Sequence, residues 1–80
     1  MTPAQTRAAR ALLNWSQPDL AKACGAGIST IRDFETGKRS PIVNNLNAIQ
    51  RALETAGVEF IPENGGGAGV RLRKNEGERV

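Results

Sequence analysis

Residues 16–37 read SQPDLAKACGAGISTIRDFETG. At helical period this stretch gives two short helices broken by a glycine turn, with Leu20, Ala21, Cys24, Ala26, Ile31 and Phe34 facing inward. Ser16 and Asp19 have the spacing of a capping box, and Pro18 lies in the first turn, where its missing N–H costs nothing. Trp15 before the cap and Leu20 at the fourth helical residue occupy the two positions of a hydrophobic staple. Gly25, Ala26 and Gly27 are too small and flexible to continue the helix, so the chain turns there. The second helix is expected from Ile28 to about Thr36, and Gly37 is placed to end it in a left-handed conformation.

Two helices so joined form a helix-turn-helix, with Ala21 and Gly25 where the helices must nearly touch. In that motif the second helix enters the major groove and the first braces against the backbone. The run Gln17, Leu20, Ala21, Gly25, Thr30, Ile31, Phe34, Glu35, Gly37, Arg39 and Pro41 resembles the lambdoid phage repressor and Cro family, the xenobiotic-response-element (XRE) type, over roughly residues 3–57. The resemblance implies a mainly α fold, a four-helix lambda-repressor-like DNA-binding domain. It also implies that an arginine of the first helix pairs with a glutamate near the end of the third; Arg10 and Glu35 stand at those positions. The pair would lock the recognition helix to the first helix and leave the guanidinium near a phosphate. Two departures from the pattern are Gly27, where a serine commonly caps the recognition helix, and Ile28, where a polar base reader is common. The second points to a narrower or more shape-driven site.

Outward from the motif, Thr2, Pro3 and Gln5 open a first helix with another capping box. Ala9, Leu12 and Leu13 supply its inward stripe, and Asn14 breaks it. After Gly37 comes a basic loop up to Pro41, and a fourth helix is expected over 42–56 with Val43, Leu46, Ile49, Leu53 and Ala56 on one face. Ser40 and Asn44 are its two candidate caps, and Gly57 stops it. The period then switches to two. Val58 to Ile61 and Val70 to Arg73 alternate, separated by PENGGGAG, a loop by composition. Antiparallel pairing of Val58 with Leu72 and Phe60 with Val70 puts four apolar residues on one face and Glu59 beside Arg71 on the other. The expected organisation is therefore a domain over 1–57, a hairpin over 58–74 and a frayed tail over 75–80. Two strands alone are marginal in water, so Val58, Phe60, Val70 and Leu72 are expected to cover the fourth helix or to meet a second chain as a dimerisation element.

The net charge is +3 over 80 residues. Up to Leu53, seven basic residues face three acids, whereas four basic residues face five acids from Glu54 onward. The helical part is therefore the polyanion-binding candidate. A chain this short, with Trp15, Phe34 and Phe60 as its aromatics, is marginal alone and favours an oligomer. Cys24 is the only cysteine and reads as a small core residue in a reducing compartment. Without a long apolar run, signal peptide or lipidation motif, the expected location is the cytoplasm, with no membrane partner.

Enzymatic readings fail for want of parts. The chain has no histidine, no metal-ligand cluster and no paired nucleophile and base. GGGAG lies between strands instead of opening a helix, so no dinucleotide or other cofactor is expected. For DNA, base contacts are expected from Ile28, Ser29, Arg32 and Asp33 at the start and outer face of the recognition helix. Phosphate contacts are expected from Gln17, through the N–H that opens the second helix and through its side chain, from Lys38 and Arg39 in the loop, and from Asn44. Together these features read as a sequence-specific transcriptional regulator, a homodimeric repressor on an inverted-repeat operator. Two other readings share the fold: the antitoxin of a toxin–antitoxin pair, and an adaptor that binds another regulator.

Overall fold

The computed structural model describes residues 1–73, so the expected frayed tail over 75–80 lies outside the described residues. The chain runs α1 (Pro3–Leu13), α2 (Gln17–Cys24), α3 (Ile28–Glu35), α4 (Val43–Thr55), β1 (Val58–Ile61) and β2 (Gly69–Leu72). It is mainly helical, with the four helices and antiparallel hairpin of a lambda-repressor-like domain.

Local chemistry sets the helix ends. The Thr2 hydroxyl accepts from the Gln5 N–H at 3.1 Å while the Gln5 side-chain oxygen accepts from the Thr2 N–H at 2.8 Å. Ser16 and Asp19 make the same reciprocal pair at 3.2 and 2.9 Å, so both of the first helices begin with orphan donors satisfied. Asn14 and Gly25 end these helices with φ of 58° and 74°, the left-handed conformation that turns the chain sharply. The caps of the later helices differ. Gly27 holds the cap position of α3 and Ile42 that of α4, neither with a side-chain bond, so neither Ser40 nor Asn44 is the cap.

Ala9, Leu20, Ala21, Ile31, Ile49, Leu53 and Val58 form one buried cluster, against which Leu13, Trp15, Cys24, Ala26, Phe60 and Val70 pack. Three expected inward positions are corrected. Leu12, Val43 and Ala56 are exposed. The buried stripe of α1 runs through Gln5, Thr6 and Ala9, which leaves Leu12 on its rim. In α4 the stripe holds Ile49 and Leu53, and Val43 and Ala56, at its two ends, lie outside it.

Two polar residues replace the missing apolar contacts. Thr6 donates to the Thr2 carbonyl at 3.1 Å. The Gln5 amide donates to the Ile61 and Gly69 carbonyls at 3.3 and 2.9 Å, tying α1 to the loop end of the hairpin. Every buried side-chain polar atom among the described residues has a partner.

The strands pair antiparallel with Val58 opposite Leu72, Glu59 opposite Arg71 and Phe60 opposite Val70. Their apolar face lies on α1 and α4 of the same chain, so the hairpin shares the core of the helices. Val58 is wholly buried within its own chain and is withdrawn as a dimerisation residue. Phe60 and Val70 are half-buried against the core, and only Leu72, 52% exposed, offers a largely open side chain.

The Gln5 bridge has a measurable consequence. Gln5→Leu keeps the volume but removes one cap acceptor and both bonds to the hairpin. We expect a loss of about 1–3 kcal/mol in urea unfolding, with faster amide exchange in β1 and β2. Unchanged exchange in the strands would mean that apolar packing alone holds the hairpin.

Candidate nucleic-acid interface

The helical period of α3 divides its residues cleanly. Ile31, Phe34 and Glu35 are buried, Thr30 and Asp33 are half-buried, and Ile28, Ser29 and Arg32 are exposed. Ile28, Ser29 and Arg32 thus present an apolar group, a hydroxyl and a guanidinium on the open side of α3, with Asp33 at its edge. Arg32 is able to donate two hydrogen bonds to a guanine edge, and Ile28 to touch a thymine methyl.

The loop after α3 folds back on it. The Gly37 N–H donates to the Phe34 carbonyl at 3.0 Å, and the N–H groups of Lys38 and Arg39 both donate to the Asp33 carbonyl, at 2.9 and 3.2 Å. Gly37 makes this possible with φ of 77°, which side chains rarely adopt. Arg39 consequently lines a small cavity of about 120 Å³ with Ser29, Thr30, Asp33 and Pro41. Lys38, Arg39 and Asn44 are all exposed, and Arg39 lies beside Ser29 of the outer face.

Behind this face, α3 is fastened by Glu35. Arg10 donates from Nε to Glu35 Oε2 at 2.7 Å and from Nη2 to Glu35 Oε1 at 2.8 Å, a bidentate pair. Its third nitrogen, Nη1, donates to the Trp15 carbonyl at 3.0 Å. Gln17 Nε2 donates to Glu35 Oε1 at 3.0 Å, and Arg7 donates to the Glu35 carbonyl. One carboxylate thus joins α1, the α1–α2 turn, the start of α2 and the end of α3. Burial pushes the Glu35 carboxyl up, but the hydrogen bonds from Arg10 and Gln17 and the charges of Arg10 and Arg7 outweigh it and hold it below its ordinary value. The same hydrogen bond raises Arg10.

This network changes the expectation for Gln17. Its side-chain amide is engaged inward with Glu35, which leaves the backbone N–H at the first position of α2 for an anion. Asp19 already accepts from the Ser16 N–H next to it. Arg7 is the residue that sequence reasoning missed. Its position in α1 shows only a surface cation; its bond to the end of α3 depends on how the helices cross.

A short helix held by its inner face, with an open outer face and a flanking basic loop, defines a helix-turn-helix DNA-binding domain. The family model described as Helix-turn-helix matches residues 7–60, and the chain belongs to that family, the XRE type of lambdoid repressors and Cro. It is accordingly a DNA-binding regulator of XRE type. No curated protein matches the chain. Among the described residues, no helix is long and apolar enough to cross a membrane.

Proposed function

We propose that the protein is a sequence-specific transcriptional repressor that acts in the cytoplasm, two copies binding an inverted-repeat operator and blocking access to a promoter. The observation that carries the reading is the outer face of α3, where Ile28, Ser29 and Arg32 are exposed while the inner face is pinned through Glu35. Base readout falls to Ile28, Ser29, Arg32 and Asp33. The Gln17 N–H, Lys38, Arg39 and Asn44 take phosphates and set the register on the duplex.

One such module offers few base contacts, so two copies on one face of the duplex are needed for a specific site. Leu72 on the hairpin, with Phe60 and Val70 behind it, supports a contact between copies there. Ile42 and Val43, 68% and 67% exposed at the start of α4, form the other open apolar pair and compete for that role. Selecting duplexes from a random pool tests the reading. The expected product is an inverted repeat with half-sites about one helical turn, 34–36 Å, apart. Leu72→Asp should then reduce selection to a single half-site. Recovery of the full repeat with Leu72→Asp and its loss with Val43→Asp would move the contact to α4. A pool with no enriched sequence would sink the functional reading itself.

A further inference from the structure

A surface groove of about 530 Å³ lies between the end of α2 and the later turns of α4. Trp15 and Cys24 wall one side, and Ala48, Ala52 and Ala56 line the other, with Arg51 at the rim. The alanines recur every fourth residue and cover about 12 Å of helix axis at 1.5 Å per residue. Their small side chains admit a close approach to the α4 backbone. None of this lining reaches full burial, so the groove is a trough on the surface and not an enclosed small-molecule cavity. Among the described residues, Arg51 has no acidic partner.

The lining of the groove shares no residue with the proposed DNA face. Gln17 opens α2 and holds Glu35 of α3, whereas Ala23 and Cys24 lie in the last turn of α2. Asn44 likewise lies in the first turn of α4, and the groove follows the later turns. None of Ile28, Ser29, Arg32, Lys38 and Arg39 lines it.

A second copy is a poor occupant. Two concave troughs facing each other about a twofold axis leave a void between them. The exposed apolar ridges of this chain, Ile42 with Val43 and Leu72, lie elsewhere, so inserting one of them into the trough of a neighbour makes a head-to-tail contact that does not close. The shape asks for a ridge with apolar side chains along one helical stripe, and the charge asks for a carboxylate beside it.

We infer that the Trp15–Arg51 groove docks an acidic amphipathic helix of a partner protein, seated along Ala48, Ala52 and Ala56 with a carboxylate on Arg51. Such a partner binds the DNA-bound protein from behind, which makes the chain a bridge between operator and partner. Trp15 supplies the aromatic anchor that concentrates binding energy in such sites.

Trp15 is the only tryptophan of the chain and reports on the groove directly. Random sixteen-residue peptides are selected on the full chain, and the recovered sequences are synthesised and titrated against Trp15 emission. The expected winners carry Asp or Glu beside apolar residues at i, i+4 and i+7, and shift the emission to the blue. Arg51→Glu, an exposed change, should weaken them at least tenfold, and Ala23→Arg, at an exposed wall of the groove, should block them while DNA binding persists. Winners that are neutral or basic, or that bind both variants as well as the parent, overturn the inference. Peptide binding that appears only in Glu76→Lys with Glu78→Lys would make the chain's own last residues the occupant, and a dimer dissolved by Ala23→Arg would make it a second copy. Either result also overturns the inference.

Discussion

Arg10→Met should destabilise the domain by about 3–5 kcal/mol at neutral pH, the cost of stranding one member of a buried ion pair. The Glu35 side chain is 1% exposed and that of Arg10 is 19% exposed, so the carboxylate is the group left without water or counter-charge. Gln17 remains as a donor, yet one neutral amide does not replace a bidentate guanidinium. Small domains hold about 5–15 kcal/mol in total, so this one change consumes much of the stability. Arg10→Lys should recover only part of it, because an ammonium makes a point contact where the guanidinium makes two parallel bonds. Arg10→Met combined with Glu35→Leu should recover more, since no charge is then buried unpaired. Equilibrium urea unfolding measures all three. A single variant within about 0.5 kcal/mol of the parent, the range of ordinary surface changes, would show the network to be ornamental.

The same carboxylate predicts how stability responds to acid. Glu35 is held below its unfolded value, so its contribution is present above the unfolded pKa of about 4.3 and is lost as pH falls through the folded one. Removing Arg10 takes away the largest of the influences that lower Glu35, its hydrogen bonds, and its charge with them, so burial is opposed only by Gln17 and Arg7 and the folded value moves up. The contribution that acid removes is then smaller in the variant than in the parent. The gap between Arg10→Met and the parent should therefore narrow from pH 7 to pH 4. Glu59 is also lowered, by the hydrogen bond and then the charge of Arg71, but that pair is exposed and screened, so Glu35 governs the acid limb.

The stretch from Ser16 to Gly37 is legible because each signal there is local. A capping box, a proline in the first turn and two left-handed glycines mark ends within a few residues, and the packed stripe of α3 follows from its period. The hairpin register is legible for a related reason, since a one-residue slip would turn Glu59 and Arg71 toward the helices. What stays hidden depends on how elements cross. Hydropathy places Leu12 and Val43 inside, and the structure exposes both, while Gln5 and Thr6, which belong to no apolar stripe, are buried. Gln5 is buried because two strand carbonyls some sixty residues away need a donor, and no window of sequence contains that need. At the candidate interface, the outward positions of α3 follow from its period, whereas the inward engagement of the Gln17 amide and the bond from Arg7 depend on three helices meeting at Glu35.

The division between base and phosphate contacts should appear as two different responses to salt. With Lys38 and Arg39 of two copies each on a phosphate, as proposed, four cationic contacts give a slope of log affinity against log salt of about −3.6. Affinity should then fall by about two decades between roughly 50 and 200 mM salt. Lys38→Ala removes two of the four, so it should weaken all duplexes alike and flatten the slope by about 1.8. Arg32→Ala should leave the slope intact and instead erase about 1–3 kcal/mol of discrimination at its base pair in each half-site. The distinction is physical. A phosphate contact releases the same counterion whatever the sequence, whereas a guanidinium on a base edge finds its two acceptors only at guanine. Titrating one selected duplex and one scrambled duplex over a range of salt measures both responses at once. If Arg32→Ala flattens the slope and spares the preference, then Arg32 grips the backbone, and the reading of bases must pass to Ile28, Ser29 and the shape of the duplex.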